Sequence, residues 1–261
     1  MSSVSVILSI LLLAFSLTTQ VVHIVSRCMS FSSIIGSPKV HFISIATRPH
    51  WRLDRLEKEF KQRNEVLTFL ERGSNISVGW TAAPGGAFGL KIKCLYDFVF
   101  NPDLSPDDLV VDFDAYDSFF CGSSDEIKKR YYSMNKPIIF GAERFNAPDH
   151  HRKYPKENLN EYFPYLNSGA MIGKVSAFRE LMKDYIFHNR DNDQRYWTTK
   201  YFERPDMIQL DHHNEIFLNC AGINVTELTY KDGSALFRNA TPLLIHASGK
   251  DESCLAKLER T

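Results

Sequence analysis

The feature that most constrains this chain is an apolar, β-branched run that ends in carboxylates. Residues 109–117 read LVVDFDAYD, which predicts a strand with Asp112, Asp114 and Asp117 crowded at its carboxyl end. Like charges this close raise one another's pKa unless a positive charge lies between them. A hard divalent cation such as Mg²⁺ or Mn²⁺ prefers carboxylate oxygens and leaves positions open for phosphate. The motif therefore favours a metal site, with an Asp-rich turn as the alternative.

A second apolar run, residues 243–245, ends in His246 and is followed by small residues and Lys250. Open α/β sheets bind ligands at the carboxyl ends of their strands. If the two strand ends converge, Asp114, Asp117 and His246 would give a Mn²⁺ ion two carboxylates and one imidazole, and diphosphate oxygens would complete the octahedron. Lys250 would add positive charge for the phosphates. For His246 alone, the alternative is a histidine whose hydrogen bonds are satisfied at a strand end.

Strand-like and helix-like patterns alternate along the chain, which predicts an α/β fold with a mostly parallel sheet covered by helices. Residues 40–45 read as the first strand and residues 52–64 as an amphipathic helix. Residues 175–189 read as a later helix, and residues 143–165, rich in polar, aromatic and proline residues, as a long loop. No linker composition interrupts the pattern, so we expect a single domain over residues 38–255.

The charge balance excludes one class of partner. The chain has 261 residues, with 31 Lys and Arg against 31 Asp and Glu. No basic field is therefore available for nucleic acid or an anionic membrane surface. A local cationic pocket remains compatible with this balance.

Residues 1–30 are predicted to be a targeting segment. Residues 4–15 are apolar over the length of a signal-peptide core, and fall short of the roughly 20 residues that span a bilayer. Apolar character resumes at residues 21–25, so a cleaved signal peptide and an uncleaved signal anchor both remain open. We expect entry into the secretory pathway, with residence in the endoplasmic reticulum lumen or Golgi, or secretion.

Sequons and cysteines agree with a lumenal location. Sequons begin at Asn75, Asn224 and Asn239 and predict a glycoprotein. The five cysteines match no zinc-binding spacing. One or two disulfides are expected in an oxidising lumen, and their pairing cannot be read from the sequence.

A glycine-rich stretch, residues 85–89, precedes a predicted helix over residues 90–100. Such a stretch lets backbone N–H groups approach a phosphate, and a plain glycine turn is the alternative. Lys91 lies at the start of this helix, where the helix dipole disfavours a cation. A neighbouring polyanion would offset that cost, as would simple solvation.

Two polar clusters lie further along the chain. Residues 191–194 (DNDQ) carry groups suited to sugar hydroxyls, and an Asp near the anomeric centre could stabilise developing positive charge. A helix N-cap explains this cluster equally well. Asp211, His212 and His213 look like a metal motif, but adjacent residues on a strand face opposite ways. We therefore expect Asp211 to be a site-wall or turn residue.

Several longer blocks occur in one order along the chain. They are DFDAYD, GAERFNAPD, YPKENLNEYFPYLNSGAMIG, DNDQRYWTTKYF, IQLDHHNEIF and LLIHASGK. In this order they resemble the glycosyltransferase domain of the procollagen lysyl hydroxylase (PLOD-type) family, from about Lys39 to Lys250. The YLNSG and DNDQ blocks are more specific than the carboxylate motif alone.

The resemblance implies a GT-A-like, Rossmann-like fold that uses a UDP-sugar and Mn²⁺. Its implied acceptors are hydroxylysine or galactosyl-hydroxylysine of collagen-like protein. It also implies that Asp114, Asp117 and His246 ligate the metal, and that Trp80 and Tyr116 line the uridine pocket.

The resemblance implies further roles near the phosphates and the sugar. Lys91 corresponds to a lysine that follows the glycine-rich loop, and Gly249 and Lys250 fall near the diphosphate. Asn192 and Asp193 fall on a pair of acidic residues that faces the donor sugar, so both are candidate catalytic residues.

The chain departs from the family pattern in ways that keep two functions open. Asn192 replaces an acidic residue, the segment after His246 is shorter, and Asn146 or Ala147 replaces an aromatic residue. The leading expectation is a Mn²⁺-dependent transferase that moves glucose or galactose. The alternative is a catalytically weak UDP-sugar-binding module or partner subunit. Because the chain ends at Thr261, we expect no lysyl hydroxylase domain.

Overall fold

The computed structural model describes residues 37–79, 87–248 and 252–260. Outside these residues lie the predicted targeting segment, part of the glycine-rich stretch and three predicted site residues: residues 1–30, Gly85, Gly86, Trp80, Gly249 and Lys250.

Strands and helices alternate over most of the described chain. The strands are β1 Val40–Ile45, β2 Leu67–Leu70, β3 Leu109–Asp114, β4 Ser118–Phe120, β5 Ile138–Glu143, β6 Tyr165–Lys174, β7 Ile208–Asp211, β8 Phe217–Asn219, β9 Leu228–Lys231, β10 Ser234–Phe237 and β11 Leu244–His246. The helices are α1 Trp51–Gln62, α2 Gly89–Val99, α3 Ser124–Met134, α4 Lys156–Leu159, α5 Val175–Met182, α6 Asp193–Glu203 and α7 Glu252–Glu259.

The central sheet has six strands in the order β2-β1-β3-β6-β5-β7. Strands β1, β2 and β3 pair in parallel, as do β5 and β7, and β6 runs antiparallel to both of its neighbours. Strands buried on both faces read as continuous apolar runs, as β3 and β5 do here. The predicted α/β fold with a mostly parallel sheet is confirmed.

Alternate residues of the central strands face two different hydrophobic cores. Ile43 and Val110 pack into a core that includes residues of α2, α5 and α6. Phe42 and Val111 face the opposite way, into a core that includes residues of α1 and α3. Helices therefore cover both faces of the sheet, as the sequence predicted.

A smaller sheet brings two distant parts of the chain together. Its order is β4-β11-β8, with β11 antiparallel to β4 and parallel to β8. His246 at the end of β11 pairs with Ser118, and the Ala247 N–H donates to the Asp117 carbonyl over 2.8 Å. This pairing places the end of β11 beside the turn that follows β3.

The helix predicted over residues 175–189 is shorter than expected and ends at Met182. The residues that follow bind the start of α2 instead of continuing the helix. The carbonyls of Asn189 and Asp191 accept hydrogen bonds from the N–H groups of Gly89 and Phe88. A Cβ on Gly89 would lie 2.0 Å from the His188 carbonyl oxygen, so only glycine permits this approach.

Three further features of the described chain concern the long loop, a disulfide and the helix lengths. The long loop at residues 143–165 contains one short helix, α4, and its outer residues belong to β5 and β6. A disulfide joins Cys220, directly after β8, to Cys254 on α7. Among the described residues, no helix has the length and apolar character needed to cross a membrane.

Candidate active site

Asp114, Asp117 and His246 meet at the edge where β3 and β11 end. One ligand atom from each lies within 4.8 Å of the others, in the one such group of acidic, His or Cys side chains that the described residues contain. His246 Nε2 is 3.5 Å from Asp114 Oδ2 and 3.5 Å from Asp117 Oδ1. The structure therefore brings together the three residues that the sequence singled out as metal ligands.

The His246 ring is buried, and both of its nitrogens face polar groups. Nδ1 lies 2.9 Å from Asn219 Oδ1 and 3.1 Å from Asn167 Oδ1, and Nε2 faces the two carboxylates. Burial alone would lower the pKa of His246, but Asp117 and Asp114 outweigh it and raise that pKa above its ordinary value.

The donor set fits a divalent cation. Two half-buried carboxylates and one imidazole nitrogen are the ligand types that Mn²⁺ accepts. The Asp114 and Asp117 side chains remain 33% and 30% exposed, so the site is open on one side to a further ligand. A cation would also remove the repulsion between the two carboxylates.

Lys91 forms a bridge between the metal-ligand cluster and the start of α6. Its Nζ lies 2.6 Å from Asp114 Oδ1 and 2.7 Å from Asp193 Oδ2. Burial opposes the charge on Lys91, but the two carboxylates more than compensate and raise its pKa above the ordinary value. Its neighbours here are carboxylates, which explains how a cation is tolerated in the first turn of α2.

Asp193 is held from a second side by the Asn-Ser-Gly segment of β6. The Ser168 hydroxyl donates to Asp193 Oδ2 over 2.9 Å. The next residue on α6, Gln194, donates from Nε2 to Glu143 Oε1 over 2.6 Å. Burial raises the pKa of Glu143 to about 7, and Asp193 itself is only 5% exposed. The carboxylate of Asp193 therefore lies in a rigid polar network with little solvent.

Asn192 has a different local role from that of Asp193. It is the N-cap of α6, and its Oδ1 accepts a hydrogen bond from the Arg195 N–H over 2.8 Å. Asn and Asp serve equally well at an N-cap because each offers a side-chain oxygen. The N-cap that the sequence allowed as an explanation is thus present, and the helix start is preserved without a second acidic residue.

A cavity of about 360 Å³ opens beside the metal-ligand cluster. We call it the strand-end cavity; its lining includes Thr47, Arg48, Phe88 and Tyr116, and it reaches Lys91 and Asp114. The Tyr116 hydroxyl accepts from the Arg48 N–H over 3.0 Å and donates to the Arg48 carbonyl over 3.1 Å. These bonds hold the tyrosine ring at the cavity wall, next to the candidate metal ligands.

Asp112 does not join the metal-ligand cluster at the strand end. It lies within β3, is 7% exposed and lines the strand-end cavity. Burial raises its pKa to about 7, because little solvent is available to stabilise the charge. The motif predicted three crowded carboxylates at the end of the strand. Because β3 extends to Asp114, Asp112 lies within the strand, and Asp114 and Asp117 are the two carboxylates at its end.

Asp211 is the last residue of β7, and its side chain holds the turn that follows. Its Oδ1 accepts the N–H of Glu215, and its Oδ2 accepts those of Ile216 and Phe217, over 2.7–2.9 Å. His212 Nδ1 lies 2.7 Å from the Phe163 carbonyl, and His213 is largely exposed. Of the two roles expected for Asp211, the turn role is the one observed.

Four residues of the site had no predicted role: Asn167, Ser168, Gly169 and Asn219. A Cβ on Gly169 would lie 2.0 Å from His246 Cε1, so glycine makes room for the imidazole ring. The signal for the first three was the NSG segment, which contributed to the family resemblance without a stated role. Nothing in the local sequence marks Asn219, because its partner His246 is distant in the chain.

Comparison with known proteins gives a family match over nearly the whole described chain. The family model described as "PLOD GT domain" matches residues 36–260. The chain is 29% identical over 86% of its length to the multifunctional procollagen lysine hydroxylase and glycosyltransferase of Caenorhabditis elegans. It is 27% identical over 83% of its length to procollagen-lysine,2-oxoglutarate 5-dioxygenase 2 of Homo sapiens.

The relatives are much longer than the matched region. The aligned region covers 32% of the Caenorhabditis elegans protein and 30% of the human protein. A procollagen-lysine,2-oxoglutarate 5-dioxygenase of Drosophila melanogaster, 25% identical over 81% of this chain, is covered to 30%. The chain therefore spans about a third of the length of these curated relatives.

Proposed function

The chain belongs to the PLOD GT domain family, and from that premise we propose that it is a Mn²⁺-dependent glycosyltransferase. The donor is a UDP-sugar that carries a hexose, glucose or galactose. The acceptor is a protein-linked group such as hydroxylysine or galactosyl-hydroxylysine of a collagen-like protein.

The observation that carries the proposal is the meeting of Asp114, Asp117 and His246 beside the strand-end cavity. In the proposed role these three side chains hold the cation. When bound, the cation would supply positive charge for the diphosphate that departs from the sugar. Preorganised charge at a position where charge develops is commonly among the largest contributions to catalysis.

Asp193 is the residue that we propose acts at the donor sugar. Its carboxylate is fixed by Lys91 at 2.7 Å and by the Ser168 hydroxyl at 2.9 Å, so it needs no reorganisation during the reaction. A fixed anion near the anomeric carbon stabilises the positive charge that develops there. Lys91 holds Asp193 and Asp114 close together, and its ammonium is available to the phosphates if a cation takes its place at Asp114.

The strand-end cavity is the proposed nucleoside site. Tyr116, held by the Arg48 backbone, offers an aromatic face at its wall, which suits a planar base. Trp80 is proposed to complete the base pocket, and Gly249 and Lys250 to approach the diphosphate. Asn192 supports the sugar site in this proposal by fixing the start of α6, which carries Asp193.

We further propose that the protein acts in the secretory pathway, in the endoplasmic reticulum lumen, in the Golgi or after secretion, where residues 1–30 would direct it. The disulfide between Cys220 and Cys254 supports an oxidising compartment. Retention at the anomeric carbon follows if glucose is added to galactosyl-hydroxylysine, and inversion if galactose is added directly to hydroxylysine. Both acceptors remain within the proposal.

A second candidate is a catalytically weak UDP-sugar-binding module or partner subunit. The observation that favours it is the combination of Asn192 with the ion pairs of Lys91. One acidic residue of the pair expected from the family is missing, and the remaining one, Asp193, is already neutralised by Lys91. Such a site would bind nucleotide and react slowly.

The test is UDP release from a panel of UDP-sugars, with and without Mn²⁺, in the presence of a hydroxylysine or galactosyl-hydroxylysine peptide. We expect release with UDP-glucose or UDP-galactose that depends on both Mn²⁺ and the peptide. Tight UDP binding without release from any donor would support the binding module and contradict the enzyme.

A further inference from the structure

We propose that Asn219 is a positioning residue of the candidate metal site, because its amide oxygen holds the proton on Nδ1 of His246 and so turns Nε2 toward the cation. The proposal rests on the function proposed above, in that it takes His246 as a metal ligand. It assigns a role to a buried amide that no sequence motif marked.

The backbone places the two side chains next to each other. His246 and Asn219 are direct partners in the parallel pairing of β11 with β8. The Cys220 N–H donates to the His246 carbonyl over 2.9 Å, which locks this register. Asn219 is fully buried and His246 is 3% exposed, so water does not compete for their contact.

The orientation of the Asn219 amide is set by its other end. Nδ2 donates to the Ala142 carbonyl over 2.9 Å, and Oδ1 therefore faces His246 Nδ1. The reversed amide would place oxygen against the carbonyl oxygen, which is repulsive. Gly141 allows the fit, because a Cβ there would lie 2.7 Å from Asn219 Nδ2.

A second amide oxygen approaches the same ring nitrogen. Asn167 Oδ1 accepts the Gly169 N–H over 2.8 Å, so this atom too is identified as the oxygen. It lies 3.1 Å from His246 Nδ1. A nitrogen that faces two acceptors must carry the proton, which makes Nδ1 the donor.

With Nδ1 facing the two amide oxygens, Nε2 is the ring nitrogen that would hold the metal. It already faces both carboxylates at 3.5 Å. Partners of the other ring nitrogen fix the tautomer and orientation of metal-ligating histidines, and their loss typically costs about 10- to 100-fold in metal affinity. Of the two amide contacts with Nδ1, that of Asn219 is the shorter. Asn219 is also the residue that pairs with His246 between β8 and β11.

The experiment compares Mn²⁺ affinity, measured from free Mn²⁺ by EPR, in the full chain and three variants. Asn219→Leu keeps the branched shape but removes the acceptor, and we expect Mn²⁺ to bind about 10- to 100-fold more weakly. Asn219→Asp keeps an acceptor for Nδ1–H but loses the donor to the Ala142 carbonyl, so it should recover most of the Mn²⁺ affinity at a lower Tm.

The matched control is Asn158→Leu. Asn158 is also buried, but its Nδ2 donates to the Pro164 carbonyl and the Tyr201 hydroxyl, away from the imidazole. We expect a lower Tm with unchanged Mn²⁺ affinity. The proposal is overturned if Asn219→Leu binds Mn²⁺ as the wild type does. That result would leave the proposed function intact, because UDP release by the wild-type protein tests it separately.

A second measurement needs no variant. With Zn²⁺ as a diamagnetic substitute, long-range ¹H–¹⁵N spectra of the wild-type protein should show His246 protonated at Nδ1 and metal-bound at Nε2. The opposite assignment overturns the role of Asn219 even if every Leu variant fails to fold. A wild-type protein that binds neither Mn²⁺ nor Zn²⁺ overturns both this inference and the proposed metal-dependent function.

Discussion

Residues 211–213 and the end of β3 are two places that carry both acidic and imidazole candidates for metal ligands, and they differ in what the side-chain lone pairs contact. At residues 211–213 the ligand types are adjacent in sequence, yet all the contacts of Asp211 go to backbone N–H groups of one turn. At the end of β3, Asp114 and Asp117 turn toward His246, which is remote in sequence. The number of candidate ligands in a sequence motif is therefore a poor guide to a metal site. The convergence of side-chain lone pairs that are not used by backbone N–H groups is a better one.

The two places are nevertheless connected through β8. Asp211 holds the turn that begins this strand, and Asn219 ends it beside His246. The Asp211 carboxylate thus stabilises a turn, whereas Asp114 and Asp117 are the proposed metal ligands. We expect substitutions at the first place to change stability and those at the second to change metal-dependent turnover.

The largest expected effect is that of Asp117→Ala. Removing one carboxylate of the metal-ligand cluster should lower Mn²⁺-dependent turnover by about 10²–10³-fold, the usual cost of losing a major electrostatic contact. Asp114→Ala should act similarly, but it also frees Lys91. Initial rates of UDP release, with circular dichroism as the check on folding, measure the effect.

The control for Asp117→Ala is Asp97→Ala, which removes an exposed carboxylate of α2. It should leave turnover unchanged. If Asp114→Ala and Asp117→Ala both retain wild-type turnover, the assignment of the metal ligands is wrong.

Next in size is Asp211→Asn. An amide cannot accept all three N–H groups, and each buried donor left unsatisfied costs about 1–3 kcal/mol. We expect the free energy of unfolding to fall by about 3 kcal/mol, measured by urea denaturation. Mn²⁺ affinity of the folded fraction should fall far less than in Asp117→Ala. An equal loss of Mn²⁺ binding at both positions would remove the distinction between the two places.

A smaller effect is expected for Gly169→Ala. The new Cβ would lie 2.0 Å from His246 Cε1, so the ring must move. Metal affinity should fall by about 10-fold or more, as for other losses of ligand orientation. Gly173→Ala on the same strand is the matched change, because its Cβ would meet Ile138 at 2.7 Å, away from the imidazole. It should cost about 1–3 kcal/mol of stability through overpacking and no Mn²⁺ affinity.

The sequence predicted the fold well because apolar runs and helical periodicity are local properties. The limits of β1 could be read directly from residues 40–45. The apolar run of β3 was equally evident, but the strand continues to Asp114 and so includes Asp112, which was expected at its end. The early end of α5 could not be read in this way, because it depends on carbonyls at residues 189 and 191 that bind the distant start of α2. The amide contacts of His246 were equally hidden, since they arise only when β8 and β11 pair.

The smallest expected effects concern Asn192, and they separate the two candidate functions. Asn192→Ala removes the cap of α6 and should cost about 1 kcal/mol of stability, whereas Asn192→Asp keeps a capping oxygen and should change stability by a few tenths. Asn192→Asp also restores the acidic residue expected from the family beside Asp193. If the wild-type protein is catalytically weak because this negative charge is missing, Asn192→Asp will release UDP faster than the wild type does. Equal rates in the two proteins mean that Asp193 suffices and that position 192 contributes only the start of the helix.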